Sequence, residues 1–496
     1  MKVNTRHADY TANEANWSLL RDFLRGEDAV KAGGEAYLPK PAGREDAEYA
    51  KYVQRATFYD ATAKTVDAMT GGIFRKAPTF TLPAAMEYLR KDADGQDTGI
   101  AQVAKRVTRE VCGMGRVGLL VDFPVAPLVT SRRDEAELKL QAKITHYIAE
   151  NIINWRYEKV GAEQKLVLLV LREYPEIVDP TDLFVVTSVE QYRVLWIDAG
   201  SLVVDVWREK PTEDGKQREW VVHETTAPRL PGGKPLDLIP FVFVGSDDLT
   251  ASVSKGPVLD IARINLAHYR NSADYEDGLF MLGQPTPWIT GLSQQFIDKH
   301  KGDLLLGSRS AWLLPESSSV GMLEMTNNMQ ALKDAMASKE TQMAALGARM
   351  FDQKDGGVEA AAAIRLRQTG EASTLSSVAS NVSQAFTICL ELCALWMSAN
   401  PEETEFKTND DFFATRLDAT SLAELVRSWQ AGAITQRTLF QNLLVGEIIS
   451  DGTDFDDYRD ELAEDAASLP DVSSLTDPNT DPDTDPTVED DPDAAA

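Results

Sequence analysis

Apolar residues recur along this chain in two rhythms, and the switch between them divides it into blocks. In the segment DAEYAKYVQRATFYDATAKTVDAMTGGIF the apolar positions are Tyr52, Phe58 or Tyr59, Thr62, Val66, Met69 and Ile73. This is helical spacing, with Gly71-Gly72 and then Pro78 as stop signals. A second helix is predicted over 99–112, ended by Gly113, and an apolar strand over 117–123, closed by Pro124. The run SRRDEAELKLQAKITHYIAE, from 130 to 150, predicts a further helix. The rhythm then shifts to period two. VLLVLREY, LFVVTS, YRVLWID, SLVVDVWRE, EWVVHE and IPFVFV are short β-branched runs separated by turn clusters such as DAGS and LPGGKP. They predict antiparallel strands between helical blocks. The expected class is α+β and helix-rich, without the regular βα alternation of a nucleotide-binding sheet.

After Gly256-Pro257 the helical rhythm returns. LDIARINLAHYRNSADYEDGLFML predicts one helix stopped by GQPTP. A short helix at 292–300 and two extended pieces, LLLGSRSAWLLP and GMLEMT, lead to a helix at 327–350. The longest predicted helix runs from Glu359 to Met397, about 58 Å at 1.5 Å per residue. Its apolar positions Leu375, Val378, Val382, Phe386, Cys389, Cys393 and Trp396 recur every three or four residues. Without heptad e/g charge pairs it reads as a spine buried against neighbours, not a coiled coil. Smaller helices are predicted at 420–431 and 435–448, and no internal repeat is visible. Asn265 to Glu276 places polar residues on most faces of its helix, the pattern of a helix that is either weakly formed or bridging between partners.

Charge changes the picture at one end. The 496 residues hold 78 acidic and 50 basic side chains, a net of −28. Residues 451–496 hold 17 acids and the single base Arg459, so this end carries −16 and leaves −12 for the rest. The Asp-Pro-rich stretch 466–496 has too little apolar surface to offset ordering entropy and is expected to be a disordered acidic tail. It lacks the Gly and Glu positions of an EF-hand loop. Three cysteines exclude a disulfide framework and favour a reducing compartment such as a cytoplasm. There is no apolar stretch of a secretory signal near the N-terminus and no run of about 18 uninterrupted apolar residues, so no membrane partner is expected.

Motifs of chemistry are few. Gly113-Met114-Gly115-Arg116-Val117-Gly118 matches G-x-G-x-x-G, but a helix precedes it and a strand follows. That order is the reverse of a dinucleotide fingerprint, so the match reads as a helix cap and turn. No G-x-x-x-x-G-K-[ST] or G-x-S-x-G occurs, and His223-Glu224 lacks the second histidine of a zinc-protease motif. Cys389 and Cys393 share a helix face, where core packing explains them better than a metal. No catalytic, cofactor-binding or metal-binding residue is assigned, and the chain is not expected to be an enzyme.

Several segments, taken in order, resemble a bacteriophage portal protein. They are YVQRATFYDATAKTVDAMTGGIFRKAP at 52–78, GRVGLLVDFP at 115–124, YIAENIINWRYE at 147–158, YRVLWID at 192–198 and IPFVFVG at 239–245. INLAHYRNSADYEDGLFMLGQPTPWITGL at 264–292, MAALGARM at 343–350 and EAAAAIRLRQTGEASTLSSVASNVSQAF at 359–386 complete the set. NLAHYRNSADYE followed by PTPW is the most specific pair. The resemblance, over about residues 45–400, implies wing, stem, clip and crown regions. By position the wing is 1–255, the stem and clip 256–326, channel-proximal and spine helices of the wing 327–397, and the crown 398–465.

It further implies a homo-oligomeric ring of twelve at one capsid vertex, conducting double-stranded DNA during packaging and ejection without reading sequence. Implied partners are the terminase large subunit, major capsid protein, scaffold and neck or adaptor proteins, in the virion and, during assembly, the host cytoplasm. An acidic tube with sparse cations would let DNA slide, whereas a cationic one would grip it. Candidate channel-facing cations are Lys333, Lys339, Arg349, Lys354, Arg365 and Arg367, each equally compatible with a solvated face or an intersubunit ion pair. Two rival readings are another head-completion or neck protein, and an α+β enzyme without a recognisable motif.

Overall fold

The computed structural model describes residues 2–124, 140–212, 217–283, 286–299, 314–323, 329–347, 361–410, 412, 419–446, 448–449 and 453–468. The chain divides into two units, Met1–Phe412 and Phe413–Ala496. The class is α+β and rich in helix.

The first unit is built on two antiparallel sheets. One has three strands, β2 (Arg116–Asp122) between β11 (Phe241–Gly245) and β3 (Lys143–Ile148). The other has five, in the order β10 (Arg218–Thr226), β9 (Ser201–Pro211), β8 (Gln191–Asp198), β5 (Glu163–Glu173), β4 (Ile152–Val160). The period-two runs thus become strands. The helix expected over 130–150 does not: 125–139 lie outside the described residues, and Lys143–Ile148 is strand β3. Its KITHYI alternation pairs in register with β2, Ile148 opposite Val117 and Ile144 opposite Val121, burying Ile144 and Tyr147. Strand pairing outweighs the helical propensity of the neighbouring Glu, Leu, Lys and Gln.

Helices α1 (Ala8–Arg25), α3 (Asp46–Arg55), α4 (Ala61–Ile73) and α5 (Ile100–Met114) pack around this core, with the short α2 (Glu27–Ala32) after α1. The helical segment read from Asp46 to Phe74 is interrupted between Arg55 and Ala61, where Thr57 binds a serine of a later helix. Gly71-Gly72 does not stop α4, which continues to Ile73. The glycine motif has the structural meaning expected of it. Gly115 caps α5 at φ +78°, its N–H donating to Val111 O, and a Cβ there would lie 2.9 Å from Gly256 Cα. Gly118 sits in β2 beneath the Phe241 ring, where a Cβ would meet Cζ at 2.0 Å.

Between these glycines the sequence hides an unusual group. Arg116 is 1% exposed, and its guanidinium carbon lies 4.1 Å from the Trp155 ring centre and 4.7 Å from that of Phe243. Its three side-chain nitrogens have no hydrogen-bond partner among the described residues. Burial pulls its pKa down to about 10. Cation–π contact with two faces offsets part of that desolvation. His7 stacks on Trp155 at 4.0 Å, so the N-terminal arm closes the site.

The spine is α9 (Ala361–Met397), about 55 Å long. All seven apolar positions read from its periodicity are buried, from Leu375 to Trp396. Thr374–Met397 is long and apolar enough to cross a membrane, but here it is the central helix of the core, against α5, β2 and β11. Ser377 and Asn381 donate to Ser246 O and Gly245 O at 3.0 Å, fastening it to the end of β11. Burial pushes the Cys389 and Cys393 thiols well up, as befits packed core residues. Strand β14 (Glu405–Lys407) then returns to pair with β1 (Thr79–Thr81), Phe406 opposite Phe80.

The second unit has helices α10 (Ala419–Gln430), α11 (Gln436–Val445) and α12 (Phe455–Ser468). Thr435 caps α11 by accepting from Thr438 N at 3.1 Å, and Phe440 packs on Phe455 and Tyr458. Of the segment 466–496, residues 469–496 lie outside the described residues, while 466–468 close α12.

Candidate assembly site: a fastened helix pair with an apolar end

Helix α6 (Leu259–Leu282) starts just after Gly256-Pro257 and covers the segment that periodicity marked as one helix. Ala262, Asn265, Tyr269 and Ser272-Ala273 form its buried stripe at helical spacing. Five polar residues on that helix, Asn265, Arg270, Ser272, Asp274 and Asp277, are met within the chain and not left for partners as the sequence reading expected. Asn265 Nδ2 donates to Thr62 Oγ1 at 3.1 Å in a buried contact. Ser272 Oγ donates to Thr57 O at 2.8 Å and accepts from Thr57 N at 2.9 Å. Tyr52 donates to Asp274 at 2.6 Å, and Arg270 Nε to Tyr37 O at 2.7 Å. Asp277 receives both Arg44 and Arg55. One strip of polar residues thus fastens α6 to the segment from Tyr37 to Thr62.

Helix α8 (Met329–Ala345) lies antiparallel against α6. A Cβ on Gly278 would meet Met329 Cε at 2.6 Å, His268 Nε2 lies 3.1 Å from Glu340 Oε1, and a Cβ on Gly347 would meet Ile261 at 3.4 Å. Between the helices the chain makes an excursion that holds the short helix α7 (Gln294–Lys299) and a hairpin of β12 (Thr286–Thr290) with β13 (Ser319–Leu323). The sequence marked the turn at PTPW but not the hairpin. Gly321 faces Trp288 across it, and a Cβ there would press on the indole at 2.5 Å.

This far end is apolar and open. Leu279, Phe280, Met281 and Leu282 are each 40–49% exposed. Four consecutive helical residues span every side of the helix, so apolar surface surrounds its last turn. Trp288 on one face of the hairpin and Val320 and Met322 on the other are also exposed, at 42–50%. A lone two-stranded hairpin is marginal in water, and contiguous apolar surface marks an interaction site.

The predicted cations fall on two helices and on residues outside the described ones. Lys333 and Lys339 lie on α8, six residues and hence about 120° apart around the axis. Lys333 is exposed; Lys339 is half-buried and donates to Ala335 O at 3.5 Å. Arg365 and Arg367 lie in the first two turns of α9, while Arg349 and Lys354 lie outside the described residues. Among the described residues no group of three His, Cys, Asp or Glu is placed to hold a metal ion.

The Asp277 cluster predicts a pH dependence. Burial acts to raise this carboxyl, but hydrogen bonds from Arg44 and Arg55, with their charges, outweigh it and hold it below its ordinary 3.8. A depressed carboxyl contributes stability above the unfolded pKa, and that contribution disappears as pH falls through the folded value. Asp277→Asn is therefore expected to destabilise by about 1–3 kcal/mol at pH 7. The difference should hold down to about pH 4 and close below it. Urea unfolding of the two proteins between pH 7 and 3 checks this; a gap that is flat to pH 3 would contradict the assignment.

The region from just before α6 to the end of α9, residues 257–397, matches a family described as "Domain of unknown function (DUF4055)". No curated protein matches the chain. Among solved structures, the virion of a native gene transfer agent (GTA) particle contains a chain 13% identical, at a TM-score of 0.38 with 84% of this chain and 98% of that one covered. The neck of the empty GTA particle, computed with C6 symmetry, gives 13%, 0.38, 85% and 99%. The neck of the native particle, computed with C12 symmetry, gives 12%, 0.39, 84% and 99%. Likeness at this level of TM-score defines neither a fold nor a role for this chain.

Proposed function

We propose that the chain is a structural subunit of a phage-type head and neck, and specifically a portal subunit. Twelve copies form a ring at one capsid vertex and conduct double-stranded DNA. The observation that carries this reading is the antiparallel α6–α8 pair ending in an uncovered apolar hairpin and helix turn. A paired stem with a sticky end is what a subunit completed by its neighbours needs: each copy leaves apolar surface that only the next copy buries. The portal-like segments from 52 to 386 support the same reading. In this assignment α6 and the adjoining part of α8 share the stem, the β12–β13 hairpin is the clip, the sheets and α9 belong to the wing, and 398–465 is the crown. Lys333, exposed on α8, is then the first cation to examine for contact with passing DNA, ahead of the half-buried Lys339. The ring would dock a separate terminase motor and later the neck proteins.

Electron microscopy of purified protein tests the reading. A ring of about twelve copies with an axial opening wide enough for a duplex is expected; a monomer at every concentration overturns it. Met281→Glu places a charge in the apolar end, where loss of one well-buried contact is worth about 2 kcal/mol. Each subunit contact should weaken about 30-fold. Sedimentation velocity would show rings giving way to monomers with the helix content unchanged.

A further inference from the structure

A second hairpin, far from α6 in sequence, is more exposed than the first. Strands β6 (Glu176–Asp179) and β7 (Asp182–Ser188) interrupt the step from β5 to β8. Its root is fixed: Val189 N donates to Pro175 O, and Glu173 takes Gln191 Nε2 at 2.6 Å and the Arg193 guanidinium at 2.8 Å. Its turn is held by Asp179, which accepts from Thr181 N and Oγ1. Nothing among the described residues covers its faces. Phe184 is 97% exposed and Leu183 80%, and Ile177, Val178 and Val186 are each at least 40% exposed. Leu183 and Phe184 are adjacent, so they point to opposite faces, and both faces are apolar. A strand apolar on both faces is suited to burial between two surfaces. Between Tyr174 and Glu190 every charged residue is acidic.

The complementary feature is a cleft of about 670 Å³ between α4 and α5. It is lined by Lys105, Arg106 and Arg109, with Asp67, Gln102 and Gly71. Lys105 has no carboxylate partner among the described residues. Arg109 meets Asp67 at 3.1 Å and Arg106 meets Asp94 at 3.4 Å, so Lys105 is the lining cation left for a carboxylate from outside. Leu183 and Phe184, at 80% and 97% exposure, are not covered by the cleft of their own chain. His146 lies in the field of Arg106 and Glu110 on the α5 side of β3, whereas the next residue, Tyr147, donates to Glu173 at the hairpin root, 2.5 Å away. Successive strand residues point to opposite faces, so cleft and hairpin root belong to opposite sides of the sheet.

We propose that the β6–β7 hairpin of one copy docks on the α4–α5 cleft of the next. Leu183 and Phe184 supply the apolar contact, and Asp179 and Asp182 meet Lys105. This is a heterologous contact, hairpin to cleft, which closes into a ring when the rotation between copies allows. It rests on the ring proposed above and adds a second, electrostatically matched contact to it.

Cross-linking tests it in the full chain. Cys112, Cys389 and Cys393 are buried, so a Phe184→Cys, Gln102→Cys protein offers a short bismaleimide only the introduced thiols. A ladder of dimers, trimers and higher species on a denaturing gel is expected, absent from either single variant. Rings seen by electron microscopy without a ladder overturn this contact alone. Monomers without a ladder overturn both this contact and the ring. Charge exchange gives a second reading: Asp182→Lys should lower assembly about tenfold, more so at low salt. Adding Lys105→Glu should restore it; no restoration contradicts the pairing.

Discussion

Arg21→Met should lower the stability of the first unit by about 3–5 kcal/mol, because it strands two carboxylates that share one cation. Arg21 Nη1 and Nη2 donate to Glu110 at 2.9 and 2.7 Å, and Nε and Nη2 to Glu150 at 2.7 and 3.0 Å. The three side chains are 16–20% exposed. Burial alone would lower the arginine pKa, but the hydrogen bonds and charges of both glutamates raise it, so it stays charged. The cluster ties α1 to α5 and to the turn before β4. Replacing Glu110 and Glu150 by Gln in the Arg21→Met background removes the stranded charges and should recover most of the loss. Urea midpoints for the three proteins decide the matter. A single variant within about 1 kcal/mol of wild type would mean the network is solvated and weak.

Trp155→Ala is expected to be as damaging, about 3–5 kcal/mol, for a different reason. The indole is 5% exposed, carries His7 on one ring contact and faces the Arg116 guanidinium at 4.1 Å. Its removal leaves a cavity and takes away half of what compensates a buried charge without hydrogen bonds. Arg116→Met in the wild-type background is expected to be neutral or stabilising by about 1–4 kcal/mol, since an apolar side chain of similar length needs no counter-charge. In the Trp155→Ala background the same change should help more. A double-mutant cycle measures that difference. Additive effects would show that the indole and guanidinium do not support one another.

Much of the architecture was legible because strand and helix impose different periods on apolar residues. The bounds of α6 follow from Pro257 before it and GQPTP after it, and the spine of α9 from a stripe unbroken from Leu375 to Trp396. What escaped has a common cause. Lys143–Ile148 is a strand only because β2 offers it a partner, and a partner is not a local property. α12 carries six acids in fourteen residues and only Phe455, Tyr458 and Leu462 as large apolar side chains, so it does not read as a separate helix in the sequence. The polar α6 invited partners outside the subunit, when Thr57, Thr62, Tyr52 and two arginines from a segment 200 residues earlier were its partners. Arg116 left no trace, since burial of one arginine among 50 basic residues has no sequence signature. The candidate assembly surface was legible as a turn at PTPW; its apolar exposure needed the fold.

The pairing of β1 with β14 sets when the first unit becomes whole. Phe80 stacks on Phe406, and α9 fills the core between elements made long before it. On the ribosome, the sheets and early helices emerge while the slot for α9 is still empty, and the apolar faces of β2, β11 and α5 must wait for nearly the whole first unit to be synthesised. Such long-range closure is slow and leaves nascent chains exposed to mispairing. A release of the chain before residue 407 would leave β1 unpaired and the core open. Synthesis of the final third therefore acts as a checkpoint: the core of the first unit shuts only once α9 and β14 have emerged.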